Sequence, residues 1–354
     1  MLYINFFERV KTMASAAQSR IKSISYAKYG YMFIAPFFLV YCFFQIWPLI
    51  YTFILSFKGN QSNASAFVGM DNYSTILFGQ GSAAGAQATH EEFSRALGNT
   101  FILWFGNFIP QILLSLILAV WFTDAKLKLP GKGFFKVVMY MPNIITAASV
   151  AALYVNLFGD SQYYFVNATL MNMGMETPIK FVTDPAVSKG MVMFIQTWLW
   201  FGNTMIMLMS GILGIAPDLY EAADIDGANS MQQFFNITLP LLQPIMVYTL
   251  VTSMIGGLQM FDLPYLYHQG ANFSKSLETV AVYIYYNFNK GTVDQANYGY
   301  AGAASIIIFA ITAVLGSITF YFNRDKDEIA KKKMRKRAEK QQKEKMKRGG
   351  GLAI

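Results

Sequence analysis

The chain has 354 residues, 54% of them apolar and 16% aromatic, but only 14% charged, where a soluble globular protein averages about 25% charged. Its 28 Lys and Arg outnumber its 20 Asp and Glu by 8, and 13 of the basic residues crowd between Arg324 and Arg348. This excludes an ordinary water-soluble enzyme, while one cysteine (Cys42) and two histidines (His90, His268) exclude an internal disulfide framework and leave too few ligands for a cysteine or histidine metal site.

In chain order, residues 1–28 place Phe6, Phe7, Val10 and Met13 among basic residues, the pattern of an amphipathic helix lying on the inner membrane surface. Asp, Glu, Lys and Arg are then absent from six stretches, 29–57, 96–123, 137–159, 190–217, 227–261 and 295–323. A charge at the centre of a membrane helix costs roughly 2.5 to 3.5 kcal/mol. About 20 apolar residues at a rise of about 1.5 Å cross a hydrocarbon core of roughly 30 Å. The shortest stretch has 23 residues, so an all-α membrane protein with six spans over residues 29–323 is predicted. Buried helices of a soluble protein would show flanking charges far more often.

The first stretch is nearly twice the roughly 7 to 15 residues of a signal-peptide core and is expected to be a retained helix. Kinks are expected near Pro48, Pro110 and Pro142, because proline removes a backbone donor and clashes with the preceding turn. The fifth stretch carries Pro240 and Pro244, and its crossing part is expected at about Pro244 to Tyr265.

Basic residues set the orientation. Residues 1–28, the connection holding Lys126, Lys128, Lys132 and Lys136, and the tail 324–354 contain 22 of the 28 Lys and Arg, so both termini are expected to be cytoplasmic. The tail should cling to anionic headgroups; no aromatic residue interleaves it, and nucleic acid is not an expected partner. One predicted cytoplasmic loop breaks the pattern: 218–241 has four acids and no Lys or Arg.

That loop reads PDLYEAADIDGANSMQQFFNITLPLLQP over Pro217 to Pro244. Pro217 suits the first turn of a helix, and Asp218 and Glu221 sit near the positive end of its dipole. The helix should run to about Asp226, with Gly227 ending it. Ser230 and Gln233 have capping-box spacing for a second helix that presents Met231, Phe234 and Phe235 until Pro240 stops it. Such a knob suits either docking of a partner or plain cover for the bundle.

At these residues the sequence resembles the membrane permease subunits of binding-protein-dependent ABC sugar importers, of the maltose and glycerol-phosphate type. Their cytoplasmic signature is matched by Glu221, Ala222, Ala223, Gly227, Ile237, Leu239 and Pro240. Similar phrases are FVGMDNY (67–73), LGNTFILW (97–104), LYEAADIDGA (219–228) and GYAGAAS (299–305). The resemblance covers about residues 28–324 and implies a compact six-span permease that performs no chemistry. It implies that the loop is a coupling helix docking in a cleft of a separate ATPase. Glu221 would pair with a basic residue there, Ala222 and Ala223 would be the small seating face, and Gly227 the elbow. Asp224 and Asp226 add acidity suited to a basic cleft.

It further implies a second homologous permease, two ATPase subunits holding the ATP and Mg, an extracellular solute-binding protein, and a place in the bacterial cytoplasmic membrane. No cofactor is expected on this chain. No G-x-x-x-x-G-K-[ST] occurs in it. The segments 59–95, 160–189 and 262–294 are long enough to meet a binding protein.

In the fourth stretch IQTWLWFGNTM puts Gln196, Trp200 and Asn203 on one helical face. Polar residues at membrane depth usually turn from lipid, so the stripe either lines a path or ties neighbouring helices. Alignment with the maltose permease implies a substrate path at Gln196, Leu199, Trp200 and Asn203, at Asn143 and Ala147 in the third span, and at Ser253, Gly257 and Met260 in the fifth, with Gln259 added beside Met260. An oligosaccharide is favoured over glycerol phosphate, because no Lys or Arg sits in a span. A proton-coupled transporter or a membrane-embedded enzyme would need ionisable groups at membrane depth, and Asp160 and Asp262 lie only at edges. His90-Glu91-Glu92-Phe93-Ser94 lacks the second histidine of a zinc motif, leaving His90 as an expected surface residue.

Overall fold

The computed structural model describes residues 27–322, apart from 64, 83–84, 125–126, 128–129, 268–274 and 290–295, together with 334. The expected amphipathic start, His268 and the basic tail lie outside the described residues. The chain divides into two units, one reaching Ile54 and one beginning at Leu55. In the first, α1 (Ala27–Tyr41) runs through a π-helical turn (Cys42–Ile46) toward α2 (Trp47–Ser56). The Trp47 N–H reaches back to the Cys42 carbonyl, so the wider turn falls just before Pro48. This helix exposes apolar side chains all round, as a lipid-solvated span does.

The second unit is helical among the described residues, apart from one isolated antiparallel bridge, Lys58 with Phe67. Its centre is the parallel pair α4 (Ala86–Thr123) and α8 (Pro185–Leu213), with α3 (Asp71–Phe78) against the start of α4. Leu118, Ala119 and Phe122 pack on Phe201, Met205, Leu208 and Met209. Polar side chains bind the pair as well. Gln111 donates to the Thr204 hydroxyl at 2.8 Å, Ser115 to the Phe201 carbonyl at 2.8 Å and Thr197 to the Asn107 carbonyl at 3.1 Å. Pro110 lies inside α4 without breaking it. Asp184 starts α8, accepting from the Ala186 and Val187 N–H groups at 2.9 Å, with Pro185 in its first turn.

The third predicted span is broken rather than merely kinked. Residues α5 (Lys132–Tyr140) and a 3₁₀ turn (Met141–Ile144) meet α6 (Ala147–Leu157) at 94°. Pro142 sits in the 3₁₀ turn, and Ile145 and Thr146 are extended, at ψ 136° and 145°. Thr146 then caps α6 through the Ser149 N–H. Among the described residues five helices are therefore long and apolar enough to cross a membrane outright, and the bent pair taken as one span makes six.

The fifth span also corrects the sequence reading. Past α9 (Pro217–Ile225) and α10 (Ser230–Gln233), the helix does not stop at Pro240; it continues through a π turn (Phe234–Thr238) into α11 (Leu239–Leu258). The π turn shifts Leu239 to bond the Phe234 carbonyl, which spares the usual clash of Pro240 with the preceding turn. Helix α11 ends at Leu258, short of the expected Tyr265, and the chain turns at Phe261 into α12 (Asp262–Leu266).

Beyond it, α13 (Val280–Phe288) and α14 (Tyr298–Phe322) pack together, and the phrases FVGMDNY and GYAGAAS turn out to be one lock. Buried Asn72 donates to the Ser56 and Lys58 carbonyls at 2.8 and 2.7 Å and accepts from Asn60 at 2.9 Å. The Asn60 oxygen accepts from the Tyr300 N–H at 3.0 Å. A Cβ on Gly299 would meet the Lys58 carbonyl at 2.2 Å, so only glycine lets these backbones touch. LGNTFILW pins the last crossover: Asn99 donates to the Lys275 and Glu278 carbonyls at 3.1 and 3.0 Å, and Thr100 accepts from the Val280 N–H at 2.9 Å. His90 is half-buried rather than a free surface residue, with Nδ1 2.9 Å from the Ile76 carbonyl.

Glu278 is buried beside Arg95, 3.5 Å away. Burial pushes its carboxyl above the usual carboxylate range, more than Arg95 pulls it down. The folded chain thus holds this proton more tightly than the unfolded chain, and stability from this group falls as pH rises from the unfolded pKa of about 4.3 through the raised folded value. The melting temperature of the wild type relative to Glu278→Gln should therefore fall as the pH is raised above about 4.3; a constant difference would contradict this reading.

Gly202 tests the packing. Its Cβ would meet the Met139 carbonyl at 2.2 Å, whereas nothing lies within 4 Å at Gly98. Gly202→Ala should cost about 1 to 3 kcal/mol in thermal unfolding of the detergent-solubilised chain, and Gly98→Ala should be neutral or stabilising by up to about 1 kcal/mol.

Candidate functional site

A two-lobed cavity opens between α4, α8, α11 and the broken third span. The first lobe, of about 240 Å³, is lined by Asn107, Gln111, Gln196, Trp200, Asn203, Thr204, Met207, Tyr248, Thr249, Thr252, Ser253, Gly256, Gly257 and Met260. The second, of about 370 Å³, is lined by Asn143, Ile145, Ala147, Gln196, Leu199, Trp200, Gly256, Gln259, Met260, Phe261, Asp262 and Leu263. Gln196, Trp200, Gly256 and Met260 belong to both. Every position proposed from the sequence for a substrate path thus borders one lobe or the other.

Local geometry explains how each side chain arrives there. On straight α8, Gln196, Trp200 and Asn203 follow one another at helical spacing. Asn143 sits in the 3₁₀ turn, held by its 3.3 Å bond to the Leu199 carbonyl, so the break in the third span brings Asn143 and Ala147 to the second lobe. On α11, Gly257 has a packing role too: a Cβ there would meet the Trp104 ring at 2.1 Å. The Trp104 indole N–H in turn donates to the Ser253 hydroxyl at 3.3 Å. Leu199 is buried in the core and only borders the second lobe.

Gln196, Asn203 and Gln259 make no side-chain hydrogen bond among the described residues. Tying helices together is therefore not what Gln196 and Asn203 do here; that task falls to Gln111, Ser115 and Thr197. Trp200 is 44% exposed and borders both lobes. Free amides beside an aromatic face suit a polyhydroxyl ligand, whose hydroxyls accept and donate while its C–H faces stack.

Sequence reasoning missed Asn107, Gln111, Thr204, Tyr248, Thr249 and Thr252. Asn107, Gln111 and Ser115 recur at four-residue spacing in α4, a polar stripe in an apolar helix that was available as a signal. The threonines carried none, since a threonine in a membrane helix commonly bonds its own preceding turn, as Thr249 does to the Ile245 carbonyl at 2.9 Å.

At the opposite end of α11 from Leu258, α9 and α10 form a helical hairpin. Asp226 caps α9, and Gly227 follows at φ +76°. The Gly227 N–H bonds the Asp224 carbonyl at 3.1 Å and the Ala228 N–H the Ala223 carbonyl at 2.9 Å, a Schellman closure. The capping box is one residue earlier than expected: Asn229, not Ser230, caps α10 and pairs with Gln232, because the left-handed Gly227 ends the first helix early enough for Asn229 to be extended, at ψ 166°.

Within the hairpin, Gln233 donates to the Asp224 carboxylate at 2.6 Å and to the Ala228 carbonyl at 3.2 Å. The Tyr220 and Thr238 hydroxyls meet at 2.9 Å. Asp224 is thus engaged inside the hairpin. Glu221, Ala222 and Asp226 are exposed, Ala223 and Leu239 half-buried, and Pro240 exposed. Ile225 at the tip is 87% exposed, an apolar side chain among acids. No cluster of His, Cys, Asp or Glu among the described residues has metal-binding geometry.

Known proteins share this architecture. The chain is 28% identical over 308 residues to the arabinooligosaccharides transport system permease protein AraP of Bacillus subtilis (strain 168), across 86% of this chain and 92% of that protein. It is 29% identical over 316 residues to the lactose transport system permease protein LacF of Rhizobium radiobacter, across 89% of this chain and all of that protein. A crystal structure of a bacterial ABC transporter involved in the import of the acidic polysaccharide alginate matches with a TM-score of 0.70 at 25% identity, over 85% of this chain and 96% of that one. The bacterial alginate transporter in complex with an alginate pentasaccharide-bound periplasmic protein matches with a TM-score of 0.69. Residues 81–327 match the binding-protein-dependent transport system inner membrane component. With its apolar spans, this chain is a multi-pass protein of the bacterial cytoplasmic membrane and belongs to that family of transport permeases.

Proposed function

We propose that this chain is the membrane-spanning subunit of an ATP-driven importer that carries an oligosaccharide into the cell by alternating access. The observation that carries the reading is the unbonded amide set Gln196, Asn203 and Gln259 around Trp200, at the wall of a cavity bounded by apolar helices. Leaving such groups without protein partners at membrane depth costs free energy, and a sugar offers each of them hydroxyls. Similarity to the AraP and LacF permeases supports a saccharide ligand. Glycerol phosphate is less suited, since the lining offers no Lys or Arg among the described residues for a phosphate. An ATP-independent secondary transporter is disfavoured because the six uncharged stretches hold no Asp, Glu, Lys or Arg and Asp262 lies only at the edge of one.

The energy enters through the hairpin. Exposed Glu221 and Asp226 present negative charge, and Ala222 with Ala223 presents a surface close enough to the backbone for a partner to seat. In this reading two separate ATPase subunits hold the ATP and Mg, and closure of the ATPase pair moves the hairpin and with it α11, which continues into the cavity wall. A second, homologous permease encloses the other half of the cavity, because Trp200, Asn203, Gly256 and Gln259 remain exposed here. An extracellular binding protein delivers the sugar, which the complex of the structurally similar alginate transporter with its periplasmic protein supports. This chain catalyses no reaction.

Glu221→Ala should leave the chain in the membrane but lower sugar-stimulated ATP hydrolysis and uptake by at least about tenfold, the effect of losing one buried charge-assisted contact of roughly 1.5 to 3 kcal/mol. Gly227→Pro, which cannot reach φ +76°, should do the same. Parental uptake by both variants in vesicles would refute docking at this hairpin. Trp200→Ala and Asn203→Ala should each reduce uptake while leaving basal ATP hydrolysis by the assembled transporter unchanged, measured in proteoliposomes; equal uptake would remove the cavity from the transport path.

A further inference from the structure

Among the described residues Asp262 is the single carboxylate in the lining of the cavity, and no described Lys, Arg or His accompanies it in either lobe. It is exposed, and it makes no hydrogen bond or ion pair among the described residues. Its position is held from two sides. Met260, two residues before it, lends its carbonyl to the Thr279 hydroxyl at 2.7 Å. Phe261 stacks on Tyr265 with ring centres 5.0 Å apart and packs on Tyr285 at 5.2 Å. The strip 260–262 is thus pinned where α11 ends, with the carboxylate at the border of the larger lobe.

An unpaired charge held in place against a partly desolvated space acts on every ligand that passes it, because the effective dielectric there is well below that of water. For an anionic sugar the lining offers only neutral amide and hydroxyl donors, opposed by a fixed negative charge. For a neutral sugar the same carboxylate is an acceptor for two vicinal hydroxyls.

We propose that Asp262 is a specificity-determining residue that makes this cavity selective for neutral oligosaccharides and rejects those bearing uronate groups, in contrast to the acidic polysaccharide of the structurally similar alginate transporter. The substrate class rests on the transport reading above; the charge filter itself is a property of the cavity that can be read without transport.

The test uses the full chain in membrane vesicles with its one cysteine replaced, Cys42→Ser, and a reporter thiol introduced in the second lobe by Gln259→Cys. Rates of modification are compared for methanethiosulfonates of equal size carrying an ammonium or a sulfonate. Asp262→Asn should lower the ratio of the cationic to the anionic rate by about a hundredfold, because one unit charge at about 6 Å in a medium of effective dielectric near 40 changes each rate about tenfold in opposite directions. Asp262→Glu should retain the parental ratio, which separates charge from loss of fold. A ratio unchanged by Asp262→Asn overturns the proposal. In proteoliposomes of the assembled transporter, a neutral pentasaccharide should be taken up and a pentauronate should not, with Asp262→Asn raising the relative uptake of the uronate. Parental uptake favouring the uronate overturns the neutral-sugar assignment. If neither sugar moves although the thiol ratio shifts, the filter stands and the sugar-import reading falls.

Discussion

The parallel contact of α4 with α8 is the constraint on which the second unit depends. Between apolar helices in lipid there is little hydrophobic gain in association, so close packing and buried hydrogen bonds must supply it. This pair has both: Leu118, Ala119 and Phe122 interlock with the Phe201 to Met209 face, and Gln111, Ser115 and Thr197 cross between the helices. Since these polar groups are satisfied by the partner helix, the neighbouring stripe of Gln196, Trp200 and Asn203 is left facing the cavity. Packing and binding surfaces are thus adjacent faces of one helix.

Glycine positions carry the second tier of the fold. Gly202 lets the broken third span approach α8 until its Met139 carbonyl lies where a side chain would begin, Gly257 admits the Trp104 ring, and Gly299 admits the Lys58 carbonyl. Each substitutes backbone proximity for a side-chain contact, and each lies beside a functional feature: the Asn143 turn, the cavity wall, and the Asn60–Asn72 lock. Stretches that read as signature phrases are therefore explained by sterics and hydrogen bonding. FVGMDNY and GYAGAAS lie more than 200 residues apart in the chain and meet through Asn60, Asn72 and Tyr300.

Mechanically, the hairpin and the cavity lie at the two ends of one continuous element. From Ser230 through the π turn and Pro240 to Leu258 the chain stays helical, and its far end presents Ser253, Gly257 and Met260 to the cavity. In the proposed mechanism a displacement at the hairpin reaches the cavity along that helix, and the π turn is the place where its backbone ladder is already loosened.

Charge and hydropathy along the sequence were sufficient for the number of spans, because the cost of a charge in hydrocarbon is local and large; they were sufficient for the helical hairpin too, since Pro217, Gly227 and the acids act within one or two turns. The spacing of Gln196, Trp200 and Asn203 placed them on one face for the same local reason. What tertiary structure alone decided is where helices break and which polar groups remain free. Pro110 and Pro240 sit in unbroken helix while Pro142 accompanies a 94° bend, because each outcome depends on how neighbouring backbone groups are satisfied. Whether Gln111 or Gln196 bonds another helix, or Asp224 rather than Glu221 is engaged within the hairpin, depends on side chains brought together from distant positions, a relation no local pattern contains.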